Sequence, residues 1–544
     1  MRKILILGIL MATFSSCSDF IEEENLSSES AESFYVTAEG FNDLVSSNYA
    51  QLRNIYGDAP DLFVLGTDLY SDGRDQAPVG LARYTGLNPI SENVDIIYNE
   101  AYVLIQLANR ALHYAELTEQ TPELPGLVGE VKFLRALSYF LLVQTYGDVA
   151  ITDFINTPVL EFERVPSNEV YEYIINDLNE SIAAVGTAAY IGRVNQRAAK
   201  NLLAKVYLTR GYESFGEAND FAMAAQLADE VIAGQSLNLS FEDLWAPLND
   251  INEETLFSVQ YDEKSISADP DGIGSPQYQY FGSYLGGSEV IIDGVATAPY
   301  RDYAYTVTDF ALGLYEQGDT RWEATFMTEV YDYYFNYYRV ADLTNQPIRD
   351  FYEPSWFTDV DKANYLATKN LTADFEYHNW GEYSSEHTDV VAFDYGTICV
   401  KKFDDPLENV AFGEKSSTRD IVLARLGETY LVAAEAYLQT NAGIGLDRLN
   451  EVRRRAGVAP ATAAEFDIDY ILDERARELL GEYHRWFDLK RTGKLVERAS
   501  MYNKLIETSS FNGANGELKI LRPIPQQAID LNQNRDFKQN PAYQ

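Results

Sequence analysis

The clearest hydrophobic pattern of the chain lies near its carboxyl end, between residues 473 and 495. Apolar side chains recur there at spacings of three and four, which is the pattern of one packed helix face: Leu472, Ala476, Leu479, Tyr483 and Trp486. On the opposite face, Asp473 lies four residues before Arg477, and Glu482 lies three before Arg485. Such pairs support an exposed surface, so the pattern predicts one amphipathic helix with a charged, solvent-facing side.

Similar helical spacing recurs through the first 235 residues and resumes at Thr418. Single helices are predicted at 39–56, 93–116, 128–146, 167–184, 418–439 and 446–457. Thr37 is the predicted cap of the first helix. A pair of helices joined by a short turn is predicted within 192–234. In the 192–234 pair the second helix carries the small residues Ala225 and Ala228, which let two helices approach closely. The length and turn are typical of a tetratricopeptide-type pair of about 34 residues.

Residues 236–417 have a different pattern, rich in aromatic residues, Gly and Asp. Short alternating stretches such as Glu254 to Tyr261 indicate strands. We interpret this region as a large irregular insertion on a helical scaffold. The expected fold class is mainly α, with short β elements in a loop-rich insertion.

The amino terminus is typical of a secretory signal. Met1-Arg2-Lys3 precedes the apolar run ILILGILMATF and the small residues Ser15-Ser16. Eleven apolar residues are too few to cross a bilayer core, which needs about 20. Cys17 follows the small residues, which indicates a lipobox whose cysteine becomes the acylated first residue. The alternative is ordinary cleavage beside an incidental cysteine. Residues 18–32 are polar and rich in Ser and Glu, as in a flexible tether.

The formal net charge of −42 argues against nucleic-acid binding, because that activity depends on Lys and Arg neutralising phosphates. The only cysteine besides Cys17 is Cys399, so the mature chain cannot form an intrachain disulfide. We interpret Cys399 as a structural buried thiol.

Enzyme motifs are absent from the sequence. Its four histidines, His113, His378, His387 and His484, form no H-E-x-x-H, and neither G-x-S-x-G nor a phosphate-binding glycine loop occurs. Carboxylate pairs for glycoside hydrolysis stay open, since 84 acidic residues offer many combinations. His484 fits packing better than catalysis. Asp269 and Asp271, or the acidic residues within 68–75, could bind calcium through their oxygens, but neither stretch follows the twelve-residue calcium-binding loop pattern. We assign no metal and no cofactor.

Two motifs carry a resemblance to a known family. ERARELLGEYHRWFDLKRTG, from Glu474 to Gly493, resembles the signature of the SusD/RagB family, surface lipoproteins of Bacteroidetes that capture nutrients for an outer-membrane transporter. LRPIP at 521–525 and QNPAY at 539–543 resemble its terminal motif, with Ala542 where glycine is usual. The acidic residues after Cys17 resemble that group's surface-export signals.

The resemblance implies about four tetratricopeptide-like helix pairs in the outer thirds of the chain. The implied organisation is a signal peptide at 1–16, a tether at 17–35 and one domain at 36–544. Within that domain we expect a helical scaffold at 36–235 and 418–495, a ligand-binding insertion at 236–417 and a carboxyl-terminal segment at 496–544.

The implied function is capture without catalysis. The protein would be lipid-anchored in the outer membrane, facing the exterior, and would pass oligosaccharides to a SusC-like TonB-dependent transporter. In the family, the loop after the first helix often borders the ligand site, so we name Asp68, Tyr70, Asp72 and Arg74 as candidates. The alternative is that Ser71-Asp72-Gly73 is an ordinary turn. The same resemblance points to local pairing for Arg321.

Aromatic residues of the insertion are a second set of candidates, because sugars stack their C–H faces on Trp and Tyr. We select Tyr352, Trp356 and Trp380, the tryptophans because they have polar neighbours. The alternative is that these aromatics only stabilise a loop-rich region. Two other functions stay open. One is peptide uptake, for which the ligand groove would offer charged pairs and backbone edges in place of stacked aromatics. The other is a scaffold that binds only protein partners.

Overall fold

The structure is a computed structural model. It describes residues 31–57, 60–73, 78–268, 274–281, 291–292, 295–299, 301, 304–384, 396–406 and 417–544. The predictions for Cys17, Arg74, Asp269, Asp271 and His387 therefore fall outside the described residues.

Helices dominate both ends of the chain. Those of seven residues or more are α1 (Ala38–Tyr56), α2 (Ile96–Ala115), α3 (Leu124–Tyr146), α4 (Ser167–Ala184), α5 (Gln196–Tyr212), α6 (Asp220–Ile232), α7 (Asp359–Thr368), α8 (Leu426–Leu438), α9 (Ala442–Ala456), α10 (Ile468–Glu478), α11 (Arg485–Arg491) and α12 (Leu495–Tyr502). Shorter α-helices are Ala31–Phe34, Asp61–Val64, Val79–Arg83, Phe241–Leu244, Glu263–Ala268, Gln277–Tyr280, Asp309–Gly313, Thr320–Thr325, Asn336–Arg339 and Gln526–Leu531. Short 3-10 helices are Lys401–Phe403, Thr508–Phe511, Ala514–Gly516 and Pro541–Tyr543.

The long helices pack as four neighbouring pairs, α1 with α2, α3 with α4, α5 with α6, and α8 with α9. Contacts of α2 with α3, of α4 with α5 and of α6 with α8 join the pairs into one array. The sequence directs this locally: the Thr37 side chain accepts a hydrogen bond from the Gly40 N–H, and Gly457 ends α9 with φ +78°. The mainly α fold with tetratricopeptide-like pairs is confirmed.

Strands are short and lie mostly in the middle of the chain. They are β1 (Tyr70–Asp72), β2 (Thr255–Val259), β3 (Ile291–Ile292), β4 (Val295–Ala296), β5 (Tyr305–Val307), β6 (Glu329–Tyr331), β7 (Ile348–Tyr352), β8 (Leu371–His378) and β9 (Ile421–Arg425). The pairs β1–β5, β2–β9, β3–β4 and β6–β7 are antiparallel, whereas β7 and β8 run parallel. Among the helices of the described residues, none is both long enough and apolar enough to cross a membrane.

Two boundaries differ from the prediction. Residues 421–425 form strand β9 instead of a first helical turn, because the buried run Ile421-Val422-Leu423 pairs with β2, and α8 begins only at Leu426. The predicted tether at 17–35 includes a short helix, Ala31–Phe34, and Tyr35 packs against Tyr114 with ring centroids 5.3 Å apart.

The single helix predicted for 473–495 is wrong, because α10 and α11 are separated by a turn. Gly481 and Tyr483 have φ of +78° and +66°, and a Cβ on Gly481 would lie 2.5 Å from Phe403 Cε2. The predicted exposure of Glu482 and Arg485 is also wrong, since both are buried. The helix stop at Gly493 is confirmed by its φ of +70°.

Buried ion pairs explain why charged residues of this turn lie inside. Arg425 donates from Nη1 to Glu478 Oε1 at 2.6 Å and from Nε to Glu482 Oε2 at 2.7 Å. Burial by itself would raise the pKa of Glu478, but Arg455, Arg425 and Arg321 hold it at about 2. Arg321 also donates from Nε to Asp319 Oδ1 at 2.9 Å, which confirms the local pairing expected of it.

The carboxyl-terminal segment folds back onto the first third of the chain. The Asn540 side-chain amide donates to the Tyr146 carbonyl at 3.0 Å and to the Arg522 carbonyl at 2.9 Å. The Arg522 N–H in turn donates to the Thr145 carbonyl at 2.9 Å. Asn540 and Arg522 therefore provide hydrogen-bond donors for the last carbonyl groups of α3.

Candidate functional site

The predicted loop candidates after α1 divide between the interior and the surface. Asp68 is fully buried and accepts two hydrogen bonds from the Arg485 guanidinium, while Arg498 Nε lies 3.2 Å from Asp68 Oδ2. Burial would raise the pKa of Asp68, but the two arginines lower it below its usual value. In this conformation Asp68 cannot touch a ligand at the surface, and its role is to pair distant segments.

Tyr70 and Asp72 belong to strand β1, so the alternative of an ordinary turn at 71–73 is wrong. Tyr70 is buried against Phe281, with ring centroids 5.1 Å apart, and burial raises its pKa. Asp72 lies at the half-buried end of the strand and accepts two hydrogen bonds from Arg83, at 2.9 and 2.7 Å. Of these described loop candidates, only Asp72 offers polar atoms near solvent.

The insertion contains a β-α-β unit that positions both candidate tryptophans. Strand β7 leads through the loop 353–358 into α7, and the chain returns as β8, parallel to β7 with Tyr352 opposite His378. The carboxyl ends of parallel strands meet at one edge of a sheet. Trp356 follows β7 and Trp380 follows β8, so the segments 353–358 and 379–384, hereafter the tryptophan loops, leave the same edge.

Glu353 connects the two tryptophan loops. Its backbone N–H donates to the His378 carbonyl at 3.0 Å, and its carboxylate accepts hydrogen bonds from the Tyr377 hydroxyl at 2.6 Å and from the Trp380 backbone N–H at 3.5 Å. The Tyr383 hydroxyl donates to the Glu353 carbonyl at 2.7 Å. One residue thus fixes both loops through four hydrogen bonds.

Each tryptophan is half-buried, with part of its ring on the core. Trp356 packs edge-on against the buried Trp322, with ring centroids 5.3 Å apart. Trp380 lies over Gly313, where an added Cβ would come within 3.6 Å of its ring, and it meets Tyr383 at 6.2 Å. Such anchoring holds the rings in place at a low entropic cost, which favours them as rigid contact surfaces.

The third aromatic candidate, Tyr352, is not at the surface. Its ring is fully buried and stacks on His378 with centroids 4.5 Å apart and planes 10° apart. In the described conformation it supports the tryptophan loops and cannot itself stack on a sugar. Ligand contact therefore stays a prediction for Asp72, Trp356 and Trp380.

Polar groups beside the tryptophans were missed by the sequence analysis. The Asn379 side chain donates to Glu382 at 2.8 Å and accepts a hydrogen bond from Lys362 Nζ. Together with Glu353 they offer donors and acceptors of the kind that sugar hydroxyls need. No sequence pattern indicates them, because their proximity depends on the parallel pairing of β7 and β8.

His484, inside the most distinctive motif, is packed within the scaffold. Burial lowers its pKa to about 4, although Glu428 favours its charged form with an oxygen 3.6 Å from Nδ1. The side chain is only 11% exposed. This environment agrees with the packing interpretation and gives no open path to a substrate.

An apolar groove of about 840 Å³ is formed by residues that are distant in sequence from the tryptophan loops. It runs between α2, the 150–162 segment and the segment 528–537, and several aliphatic side chains on it are exposed: Val103, Val159, Leu160 and Leu531. Because it lacks the combination of anchored tryptophans and polar groups, we do not consider it the candidate ligand site.

Comparison with known proteins gives matches over most of the chain. Residues 256–543 match the family model described as the SusD family, and residues 82–208 match one described as starch-binding associating with outer membrane. A curated relative, SusD-like protein P2 of Formosa agariphila, is 26% identical, and the alignment covers 98% of both chains.

Two solved structures have the same fold. A laminarin-binding SusD-like protein superposes with a TM-score of 0.68 at 22% identity, covering 93% of this chain and 100% of that chain. Surface glycan-binding protein A of Bacteroides thetaiotaomicron, solved with laminarihexaose, superposes with a TM-score of 0.67 at 18% identity and the same coverage.

Proposed function

Because this chain belongs to the SusD family, we propose that it binds oligosaccharides or polysaccharides at the cell surface and performs no bond chemistry on them. The observation that carries the proposal is the pair of half-buried tryptophans, Trp356 and Trp380, on two loops at one edge of the β7–β8 pair. Anchored indole rings provide flat apolar faces for the C–H side of a sugar.

The names of two structural relatives support a glycan ligand. One is called laminarin-binding, and the other was solved with laminarihexaose. The likeness to them is one of fold, so it selects the class of ligand to test first and leaves linkage and length open. Laminarin and its oligosaccharides are the first compounds to try.

Binding in this proposal combines stacking with polar contacts. Trp356 and Trp380 hold the sugar rings, while Glu353, Asn379 and Lys362 exchange hydrogen bonds with hydroxyl groups. Fixed loops favour affinity because little conformational entropy remains to be lost on binding. The surface end of β1, with Asp72 and Arg83, is a second polar edge that a longer chain would reach.

The place of the protein in the cell is part of the proposal. Acylation of Cys17 anchors it in the outer membrane, on the exterior side, and residues 36–544 act as one unit in which the insertion binds ligand. A SusC-like TonB-dependent transporter accepts the glycan, with the helix array as the contact surface. The description of the model matched by residues 82–208 supports this location.

The test is calorimetric binding by the unacylated chain from Ser18 to Gln544. The panel contains laminarin, starch, other plant, host and microbial polysaccharides, and a peptide mixture. Saturable binding to a polysaccharide supports glycan capture. Binding to peptides alone favours a peptide-uptake protein, and no binding to any compound, in a chain shown to be folded, favours a protein-binding scaffold.

A further inference from the structure

Three potential metal ligands meet on one face of the β7–β8 pair. Asp350 lies opposite Glu376, and Tyr352 opposite His378, in the parallel register. Residues two apart on a strand share a face, so Glu376 and His378 both lie beside Asp350. No local sequence pattern indicates this cluster, since two strands contribute to it.

The distances between the ligand atoms suit one ion. One oxygen of Asp350, one of Glu376 and one ring nitrogen of His378 all lie within 4.8 Å of one another. His378 Nε2 is 2.9 Å from Asp350 Oδ1. A zinc ion takes nitrogen and oxygen ligands at about 2.0 to 2.2 Å, so ligand atoms on the same ion are separated by at most about 4.4 Å. Small side-chain movements would bring these atoms to such spacings.

Two of the ligands are already oriented. The His378 ring is stacked on Tyr352, and 12% of its side chain is exposed. The Asp350 side chain is 2% exposed, and its Oδ2 has no hydrogen-bond partner among the described residues. A carboxylate held away from water with an unpaired oxygen carries a desolvation cost, and a bound cation would offset that cost.

The charges around the cluster permit a cation. Arg349 Nε is 3.8 Å from Asp350 Oδ2, but the Arg349 side chain is 39% exposed and can turn toward solvent. Glu376 is exposed and gives an ion a path from solvent. Glu376 and His378 lie on β8, an outer strand of this three-stranded sheet, whereas Asp350 lies on the central strand β7.

We propose that Asp350, Glu376 and His378 bind one divalent transition-metal ion of the Zn²⁺ type. Imidazole suits Zn²⁺, Ni²⁺ and Cu²⁺, whereas Ca²⁺ and Mg²⁺ prefer sites made of oxygen alone. Three protein ligands leave a fourth position for water or for an oxygen of another molecule.

Such an ion would fix strand β8 where its own pairing is irregular. The register shifts between the Ile348 and Asp350 pairings, so hydrogen bonds hold this edge less regularly. The tryptophan loop 379–384 begins directly after His378. Metal binding would therefore restrain the loop that carries Trp380. The inference rests on the cluster alone and does not require that the ligand is a glycan.

The test is calorimetric titration of the chelator-treated chain from Ser18 to Gln544 with ZnCl₂. We expect one site, an affinity at least tenfold lower in Glu376→Gln, and loss of binding in His378→Gln. Asp374→Asn is the matched control, because Asp374 is an exposed acid two residues before Glu376 on the same strand. His113→Gln controls for an exposed histidine elsewhere. Both controls should bind as the unaltered chain does.

A spectroscopic measurement makes the result independent of stability. Co²⁺ bound through imidazole should give a visible absorption band that His378→Gln abolishes and His113→Gln retains. The proposal is overturned if Zn²⁺ does not bind, if Glu376→Gln and His378→Gln leave affinity unchanged, or if Ca²⁺ competes equally. Glycan binding is measured separately, so a failure here leaves the proposed function standing.

Discussion

Arg485 donates from Nε and Nη2 to the two carboxylate oxygens of Asp68, at 2.7 and 2.6 Å, across 417 residues of sequence. Both side chains are buried. Bidentate geometry of this kind is the strongest form of ion pair and fixes the orientation of both partners. It ties the loop after α1 to the first turn of α11, so the distinctive carboxyl-terminal motif and the amino-terminal loop are parts of one structural unit.

Removing this pair should destabilise the protein. We expect Asp68→Asn to lower the free energy of unfolding by about 3 to 5 kcal/mol, because it leaves a buried guanidinium without its counter-charge. Urea unfolding measures the change. Glu451→Gln is the control, since Glu451 and its partner Arg454 are 45% and 55% exposed and a surface pair contributes less than about 1 kcal/mol. Equal losses in the two variants would contradict the role given to Asp68.

The tryptophan loops should carry ligand affinity. Trp356→Ala and Trp380→Ala are each expected to weaken binding of the glycan found in the panel at least about tenfold, or about 1.4 kcal/mol. Tyr207→Ala is the control, since Tyr207 is a half-buried aromatic of α5 on the scaffold. Glycan affinities are compared by calorimetry among variants whose circular-dichroism spectra match that of the unaltered chain. If the double tryptophan variant binds normally, the stacking assignment is wrong while the family assignment stands.

The lipid anchor depends on a single sulfur. Cys17→Ala should abolish labelling with a fatty-acid probe and shift the protein from the membrane fraction to the soluble fraction. Several acyl groups together attach a protein durably to a membrane, whereas the unacylated polypeptide has no lipid to insert. Cys399→Ala, which removes the buried thiol, should keep both labelling and membrane attachment. Unchanged labelling of Cys17→Ala would exclude the lipobox.

His484 should make stability depend on pH. Its folded pKa of about 4 lies below the usual 6.5, so the unfolded chain binds more protons between these values. Stability from this residue is therefore complete above about pH 6.5 and is lost as the pH falls toward 4, by about 3 kcal/mol at most. Denaturant unfolding at pH 5 and pH 7 should show a smaller pH difference for His484→Gln than for the unaltered chain. An identical pH difference would refute the assignment.

Local periodicity predicted the helical scaffold well. The helix predicted at 167–184 is α4, and the one predicted at 93–116 is α2 at Ile96–Ala115. Prediction failed where long-range pairing decides the conformation. Strand β9 depends on β2 more than 150 residues earlier, and the turn at Gly481 depends on the nearby Phe403 ring.

The site was predictable in its residue types and less so in its arrangement. Trp356 and Trp380 could be selected from composition, because tryptophans with polar neighbours in a loop are rarely all core. Asp68, Tyr70 and Tyr352 looked equally suitable, since the sequence does not state which aromatic or acidic side chain will be buried. Glu353 and His378 became visible only through the register of β7 and β8.

The hydrogen bond from the Asn540 side chain to the Tyr146 carbonyl has a consequence for synthesis. The two residues are 394 positions apart, and a ribosome adds roughly 5 to 20 residues per second, so the end of α3 waits roughly 20 to 80 seconds for its partner. A chain that ends before residue 540 lacks this partner of α3. The end of α3 in truncated products should therefore remain accessible to proteases. Translation past residue 540 is then a condition for completing the hydrogen bonds at this end of the amino-terminal third.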